Sequence, residues 1–394
     1  MRPRTGVAER VAWLGYIAIG LLATAYGAAL PTLVRELGRG YAALSLLFVV
    51  FAAGNTVVYF FANPLVDRRG PQRILQIGLV LFLLSGGALV FAQTFSAWVA
   101  ATLVAGIGFS LVDVAASRYV GALHSPQPAQ ALNRLNVFFG VGAIAAPLIV
   151  GLSVRLGGGP QPVFALVALA GAAGAIALAR VPQPPPERAP HLGGQDSFLR
   201  FYGRTRWLQV LTAIVFFYIA AEVGFGAWIS AYEHLTAGIS TALSALYPAA
   251  YQIGLTLVRL FVGRALATLR LERLIAVGGV VAVLATLFVA LGGANPWLAV
   301  VGALLAGVGF GPAFSAILAI ASLRGPGKEG WTYGAVFSAL ALAALVAPWT
   351  EGQVFSRLPL LALLLTPLCA LLMTGAAALL GWMPWQAEEG ASGA

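Results

Sequence analysis

The sequence predicts an all-α membrane protein in which twelve transmembrane helices form two pseudo-symmetric six-helix bundles. Three observations lead to this prediction. Hydrophobic residues make up 60% of the 394 residues and charged residues only 9%. Apolar windows long enough to cross a bilayer occur twelve times, and a segment of the first half recurs in the second half. Together they predict that lipid surrounds most of the protein surface and that the two halves of the chain have similar structures.

The mean hydropathy of +0.90 is too high for a surface that faces water. An apolar run of about 20 residues crosses a hydrocarbon core of roughly 30 Å, and in lipid the backbone must satisfy its hydrogen bonds within the segment, which favours helices. The predicted spans are 11–34, 42–65, 74–93, 97–121, 135–155, 162–181, 208–233, 241–263, 274–293, 296–320, 332–354 and 359–383.

One long polar interval divides the spans into two sets of six. It runs from Arg180 to Trp207 and contains Pro-Gln-Pro-Pro-Pro-Glu-Arg at 182–188, a composition that favours extended, solvated backbone. The predicted domains are therefore an N-terminal six-helix bundle, 1–181, a cytoplasmic linker, 182–207, and a C-terminal six-helix bundle, 208–394.

An internal repeat relates the two halves. Residues 103–110, Leu-Val-Ala-Gly-Ile-Gly-Phe-Ser, recur as Leu-Leu-Ala-Gly-Val-Gly-Phe-Gly at 304–311, an offset of 201 positions. The same offset carries Pro147 onto Pro348. Two similar bundles that face each other enclose a cavity at their interface. Membrane transporters built from such repeats bind substrate in this cavity, near the midplane of the membrane.

The basic residues predict the orientation, because Lys and Arg near span ends are retained in the cytoplasm. Of the 23 Lys and Arg residues, eighteen lie on one side of the alternating loops and Arg259 lies inside the eighth span. The other side holds only Arg35, Arg39, Arg155 and Arg357. A multi-pass protein of the plasma (inner) membrane, with both termini and the linker in the cytoplasm, is the prediction.

Composition and motifs also argue against several classes of function. The net charge of +10 is spread over short stretches between apolar runs, which does not suit nucleic-acid binding. Cys369 is the single cysteine, so an intrachain disulfide is impossible. The sequence has no phosphate-binding loop, no metal-ligand spacing and no nucleophile elbow. We therefore expect no enzyme activity, cofactor or metal site, and transport energy from an ion gradient or from the substrate's own gradient.

The segment Asn63-Pro64-Leu65-Val66-Asp67-Arg68-Arg69-Gly70-Pro71-Gln72-Arg73 follows the second span. It resembles the signature of the major facilitator superfamily, in which a Gly and an acid precede a basic cluster. The resemblance implies a cytoplasmic gate formed by Asp67, Arg68, Gly70 and Arg73, transport by alternating access, and a monomer. Asn63 replaces the first Gly, and the corresponding second-half segment, which contains Arg264, lacks the acid and is degenerate.

Within that superfamily, four segments resemble the sugar branch that contains fucose permease. They are 106–113 in the fourth span, 139–148 in the fifth, 218–229 in the seventh and 254–264 in the eighth. The resemblance implies proton-coupled sugar transport. Ser117 stands where the branch often has Asn, and the first span has no acid at all.

Ionisable residues inside spans are costly and need a reason, at roughly 2.5–3.5 kcal/mol each on insertion scales. Glu222 lies near the midplane, and we expect it either to bind a proton or substrate or to tie two helices together. Asp113 is the second proton-coupling candidate, its alternative being a structural pair with Arg118 or Arg134. Arg259 is a basic candidate in the second half, as is Arg264, although Arg259 lies where a long side chain can snorkel to the interface.

Amide and aromatic side chains inside spans are candidates for the wall of the cavity, because sugars and many drugs are held by hydrogen bonds and ring stacking. Packing or interfacial anchoring remains the alternative for each. The candidates are Tyr26, Asn55, Asn136, Tyr218, Trp228, Tyr251 and Gln252.

The leading hypothesis is a secondary active transporter that carries a sugar or similar small polar solute together with protons. A proton-driven efflux antiporter for multiple drugs or amphipathic compounds is the alternative, since Gly140 to Pro147 is similar to the antiporter motif of drug exporters. A transporter-derived sensor is a third hypothesis. The partners expected are the solute, protons and the lipid bilayer.

Overall fold

The computed structural model describes residues 5–124, 128–181, 195–292, 295–325 and 328–383, which are helical with short connections. The first half of the chain, here the N-half, has six long helices. They are α1 (Thr5–Leu37), α2 (Tyr41–Arg69), α3 (Pro71–Phe91), α4 (Phe95–Leu123), α5 (Pro128–Arg155) and α6 (Gln161–Ala179).

The second half, the C-half, follows a ten-residue helix, α7 (Gln195–Arg204). It contains α8 (Arg206–Thr236), α9 (Thr241–Ser244), α10 (Leu246–Thr268), α11 (Leu271–Leu291), α12 (Pro296–Phe310), α13 (Ala313–Arg324), α14 (Glu329–Phe355) and α15 (Pro359–Trp382). Helices α9 and α10 form one span, and α12 and α13 form another that is interrupted at Gly311 and Pro312. Proline explains the break, because it lacks the N–H that would continue the helical hydrogen bonds.

Twelve helices in the described residues are long and apolar enough to cross a membrane, which confirms the predicted number of spans and the fold class. Several helices extend a turn or more beyond the predicted windows, whereas α3, α6, α11 and α15 end one or two residues before the windows do. α1, for example, begins at Thr5 and ends at Leu37, whereas the predicted span was 11–34. The extensions carry polar residues, which lower the hydropathy of a window without breaking the helix.

The linker differs in part from the sequence-based expectation. Its proline-rich residues, 182–194, lie outside the described residues, but 195–204 form α7, so the prediction of extended backbone is wrong there. This stretch has no proline, and Phe201 packs on Trp331 with ring centroids 5.2 Å apart. The Lys328 ammonium lies 4.6 Å from the Phe201 ring centroid, a cation–π contact that joins α7 to the start of α14.

Because successive spans are antiparallel, the molecule has two polar faces. The terminal face is where α1 begins and α15 ends, and the distal face is where α1 ends and α2 begins. Glycines let the spans of each half cross at backbone distance. A Cβ on Gly106 of α4 would meet the carbonyl of Phe51 in α2, and a Cβ on Gly307 of α12 would meet the carbonyl of Tyr251 in α10. These matched crossings give the repeat of the sequence a structural basis.

The N-half and the C-half contact each other mainly from the midplane to the distal face. Four aromatic rings form what we term the distal seal: Tyr41 and Phe48 of α2 with Trp228 of α8 and Phe355 of α14. The rings of Trp228 and Phe355 stack at 4.9 Å, and Tyr41 meets Phe355 edge-on at 4.9 Å. The Gln353 amide donates to the Ala42 carbonyl at 3.1 Å beside them. Every hydrogen bond and ring contact between the halves that joins described residues lies in this distal region.

Candidate functional site

Asp113 on α4 lies in a cluster of hydroxyl groups inside the N-half, the phenol cluster, with Tyr16, Tyr59 and Ser117. The Tyr16 hydroxyl donates to Asp113 Oδ1 at 2.6 Å and the Tyr59 hydroxyl donates to Oδ2 at 2.5 Å. The hydroxyls of Tyr16 and Ser117 are also 2.6 Å apart. Asp113 is ten residues from the end of α4 at the terminal face, or about 15 Å deep. No ion pair joins it to a described residue, so its hydrogen-bond partners are neutral.

The alternative in which Asp113 pairs with Arg118 is wrong, because Arg118 forms an ion pair with Asp67 instead. Its guanidinium donates to Asp67 Oδ1 at 2.6 Å, joining the end of α4 to the end of α2 at the terminal face. Both side chains are partly exposed, Arg118 by 43% and Asp67 by 27%. Arg134, the other proposed partner, is exposed on α5 and makes no ion pair with a described residue.

Glu222 on α8 has the opposite environment, because its partner is a cation. It lies 16 residues from the start of α8 and 14 from its end, which is about 24 Å and 21 Å from the two ends. Arg259 Nη2 of α10 is 3.3 Å from Glu222 Oε1 and 3.3 Å from the Tyr218 hydroxyl, to which it donates. The Tyr251 hydroxyl donates to the Glu222 carbonyl at 3.3 Å. We refer to Tyr218, Glu222 and Arg259 as the ion-pair cluster.

The alternative for Arg259, a side chain that snorkels to the interface, does not agree with these contacts. The eighth span continues past its predicted end to Thr268, which leaves Arg259 nine residues, or about 14 Å, inside the helix. Its side chain extends to Glu222 instead, where a carboxylate and a phenol replace the water that the guanidinium loses.

The repeat places the two clusters at related positions. Tyr16, Tyr59 and Asp113 are followed 202, 200 and 201 positions later by Tyr218, Arg259 and Phe314. In the C-half a ring therefore takes the place of the acid: Phe314 stacks on Tyr218 with centroids 6.4 Å apart. In the C-half the carboxylate comes from Glu222 on α8, whereas in the N-half it comes from Asp113 on α4, the span that contains the glycine motif.

A small pocket lies where α5 of the N-half meets α10 of the C-half, and Arg259 is one of its lining residues. Asn136 and Asn133 of α5 line it together with Thr256 and Arg259 of α10. The two helices approach closely here, because a Cβ on Gly140 would meet the Thr256 side chain. Asn136 is exposed, and the side chains of Glu222 and Arg259 are 16% and 25% exposed despite their depth. Amides, an ion pair and a hydroxyl thus converge between the halves, a set that can hydrogen-bond a polar solute.

The other cavity candidates lie deeper in the packing. Tyr26 packs between Phe51 and Phe164, at centroid distances of 5.7 and 5.6 Å. The Asn55 side-chain oxygen accepts from the Ser110 hydroxyl, joining α2 to α4. Contact of these two residues with substrate stays a prediction, and both have a packing role.

Three candidates of the C-half occupy different positions. Trp228 belongs to the distal seal, where its indole N–H donates to the Pro348 carbonyl at 3.1 Å. Tyr251 is buried against Phe225, with ring centroids 5.1 Å apart. The side-chain oxygen of Gln252 is buried and accepts no hydrogen bond from a described residue, which leaves it available to a donor.

The gate motif has the geometry of a tight turn at the terminal face. Gly70 has φ +80°, which only glycine adopts at little cost, and it ends α2 and begins α3. Arg68 and Arg73 are exposed beside it. The side chain of Arg264, the second-half candidate, lies outside the part of the chain that the structure describes.

Sequence reasoning missed four groups. The phenols Tyr16 and Tyr59 escaped because tyrosine is common at span ends. Glu272, in the segment considered degenerate, forms a buried ion pair with Arg324 at 2.9 Å across α11 and α13. Glu351 on α14 is a buried acid near the distal seal, 4% exposed. Its presence in an otherwise apolar span was a signal that could have identified it.

Known proteins provide an independent comparison. The Major Facilitator Superfamily model matches residues 12–348. A D-xylose-proton symporter structure superposes with a TM-score of 0.79 at 14% identity, covering 97% of this chain and 98% of that one. The nucleoside transporter NupG, solved as a point mutant, superposes with a TM-score of 0.75 at 13% identity over 96% and 98%. At these identities the likeness shows the fold alone.

Two curated sequence relatives match only in part. The multidrug resistance protein MdtL of Shewanella oneidensis is 30% identical over 125 residues, 32% of each chain. The quinolone resistance protein NorA of Staphylococcus aureus is 25% identical over 145 residues, 36% of each. The chain thus aligns with about a third of the length of these relatives. Since the family model covers most of the sequence, the chain belongs to the major facilitator superfamily.

Proposed function

We propose that this protein is a proton-coupled secondary transporter that moves a sugar or similar small polar solute by alternating access. The observation that carries the proposal is the pair of unlike acids inside the bundle. Asp113 has phenol and hydroxyl partners that suit either a charged or a neutral carboxyl group. Glu222 is paired with Arg259 at the contact between the halves. The first acid suits proton binding, and the second suits solute binding.

The chemistry of the two clusters supports this division of roles. A carboxyl group without a cationic partner gains or loses a proton without leaving an unpaired charge on a neighbour. An ion pair instead offers a solute both donors and acceptors, and Asn133 and Asn136 add amides beside it. Hydroxyl groups of a sugar bind both donors and acceptors, so these side chains offer the kinds of hydrogen bond that a polyhydroxylated solute requires.

The closed distal seal supports alternating access. With the terminal face in the cytoplasm, as the basic residues predict, the structure represents a state closed to the outside. Pro147 of α5 and Pro348 of α14 lie inside helices at the repeat interface, where they weaken the helical hydrogen bonds. We propose that the two halves rock about these contacts, and that the Asp67–Arg118 pair forms part of the gate at the terminal face.

Uptake into proteoliposomes tests the proposal. The purified protein is first screened for ligands by thermal stabilisation against sugars, polyols, organic anions and cationic dyes, since a bound ligand stabilises the native state. Uptake of the hit is then measured with and without a gradient of about two pH units, which drives about 100-fold accumulation for one proton per solute. A sugar or polyol that accumulates only with the gradient supports the proposal. Uptake that the gradient does not change contradicts proton coupling.

Efflux of amphipathic compounds is the second candidate, and the partial similarity to MdtL and NorA favours it. The aromatic seal and the apolar interior suit such compounds as well. Overexpression in a drug-sensitive host distinguishes the two: growth protection against dyes or quinolones, with no stabilisation by sugars, supports efflux. If overexpression gives no growth protection and a sugar stabilises the purified protein, the result supports uptake.

A further inference from the structure

Glu351 is an acid that neither the phenol cluster nor the ion-pair cluster uses. It lies on α14, four residues before Phe355, and its residue is 4% exposed. Its carboxylate oxygens lie against the backbone of Gly224 on α8, where any Cβ would collide with them. No hydrogen bond or ion pair joins this carboxylate to a described residue. A charged carboxylate at such a position, with no cation beside it, is unfavourable by several kcal/mol or more, so the packing favours the neutral form of the group.

Among the residues that the structure describes, none contributes a charged side chain that contacts the Glu351 carboxyl group. Helix α15 has no charged residue, and the charged residues of α2 lie at its terminal end. On α8, Glu222 pairs with Arg259, whereas Glu233 and His234 lie at least nine residues beyond Gly224, near the distal end. The titratable neighbours are the Cys369 thiol of α15 and, at the seal, the Tyr41 phenol of α2.

The position of Glu351 connects it to the distal seal. Gly224 lies one turn, about 6 Å, nearer the midplane than Trp228 on the same side of α8. Glu351 likewise lies one turn below Phe355 on α14. The carboxyl group is therefore directly inside the stacked rings of Trp228 and Phe355. The next two residues of α14 contact the N-half: Gly352 packs on Ser45, and Gln353 donates to the Ala42 carbonyl.

We propose that Glu351 is a proton-binding site of the distal seal, whose occupation favours the sealed state. When the seal parts, water from the distal side reaches the carboxylate and its proton leaves to that water. When the proton returns, the neutral carboxyl group packs against Gly224 and the rings of Trp228 and Phe355 close over it. Because binding and closure are linked, acid on the distal side shifts the protein toward the sealed state.

This inference rests on the proposed function for its place in the transport cycle, but its test does not depend on transport. Infrared spectra of the purified protein in nanodiscs report the carbonyl stretch of protonated carboxylic acids. We compare Glu351→Gln with its parent in an Asp113→Asn background near neutral pH. The expected result is loss of one protonated-carboxyl band in Glu351→Gln and no loss in Glu36→Gln, an exposed acid at the same face. Identical spectra for Glu351→Gln and its parent would overturn the proposal.

The response of the seal is measured separately with spin labels at two exposed distal positions, Arg39→Cys and Arg357→Cys, in a Cys369→Ala background. In the parent, we expect the longer, open distance to become more populated as the pH rises. Glu351→Gln should remove this response and keep the short distance at every pH, whereas an unchanged response contradicts the link to the seal. If Glu351→Gln does not fold, Trp228→Ala serves in its place, since it admits water and should abolish the protonated-carboxyl band near neutral pH.

The two tests also separate this inference from the function proposed above. If the seal responds to pH through Glu351 but the pH gradient does not change solute flux, Glu351 stands as a proton site. The proposal of a proton-coupled carrier is then contradicted. If the pH gradient drives solute flux but the Glu351→Gln substitution changes neither the spectra nor the distances, the proton-coupled carrier stands and the role of Glu351 is contradicted.

Discussion

The two halves of the molecule share a sequence repeat and yet surround their acids with opposite chemistry. In the N-half, the carboxyl group of Asp113 is held by the phenols of Tyr16 and Tyr59. In the C-half, Arg259 occupies the position that corresponds to Tyr59 and pairs with Glu222. A phenol donates a hydrogen bond to a carboxylate without a charge of its own, whereas a guanidinium donates hydrogen bonds and also carries the opposite charge. One scaffold thus holds an acid with neutral partners, which we propose exchanges protons, and an ion pair at the corresponding level of the other half.

The terminal face shows a second contrast between the halves. The Asp67–Arg118 pair of the N-half is partly exposed, but the Glu272–Arg324 pair of the C-half is almost fully buried, at 6% and 2% exposure. Arg324 also donates to the Leu380 carbonyl of α15 at 3.1 Å. Exposure to water decides the strength of such pairs, so the same substitution should have unequal effects in the two halves.

The largest expected effect on stability is that of Glu272→Gln. It removes the carboxylate charge from the buried pair with Arg324, and breaking a buried pair in this way costs about 3–5 kcal/mol. Reversible unfolding in mixed micelles measures the loss. Glu36→Gln, at an exposed acid, is the matched control with no expected change. A Glu272→Gln protein as stable as the wild type would contradict the importance of this pair.

Glu222→Gln should have the next largest effect, about 1–3 kcal/mol, because Arg259 loses the charge that compensates it. Partial exposure of both side chains reduces the loss below that at Glu272. The double variant Glu222→Gln/Arg259→Gln should recover much of the stability, since neither charge is then unpaired. Additive losses in this double-mutant cycle would argue against an energetically coupled pair.

Asp113→Asn should change the free energy of unfolding by no more than about 1 kcal/mol. The amide keeps its place between Tyr16 and Tyr59, and no described cation is left without a partner. The same unfolding experiment gives the value, with Glu222→Gln as the comparison. If Asp113→Asn destabilises the protein as much as Glu222→Gln does, the contrast between the clusters is wrong.

The smallest effect is expected for Asp67→Asn, at about 0–1 kcal/mol, because water and salt screen the exposed pair with Arg118. Added salt should reduce even this difference. A salt-insensitive loss of several kcal/mol would mean that the pair is far less solvated than its exposure indicates.

The sequence alone predicted the features that depend on neighbouring residues along the chain, but not those that depend on contacts between distant residues. The twelve spans and the repeat were predictable because hydropathy and glycine spacing are written along the chain. The partners of Asp113 were not, since Tyr16 is 97 positions away and the rotation of α1 decides whether its hydroxyl reaches α4. Arg259 was misjudged because the predicted end of its span was too early, and α7 because proline composition was extended over a proline-free stretch.

The measurement that tests the central claim most directly compares two kinds of transport by Asp113→Asn proteoliposomes. Equilibrium exchange of labelled solute requires binding and rocking only, whereas accumulation driven by a pH gradient also requires proton exchange. We predict that Asp113→Asn keeps exchange and loses accumulation, from about 100-fold to none for a gradient of about two pH units. Undiminished accumulation in this variant would contradict the assignment of proton coupling to the phenol cluster.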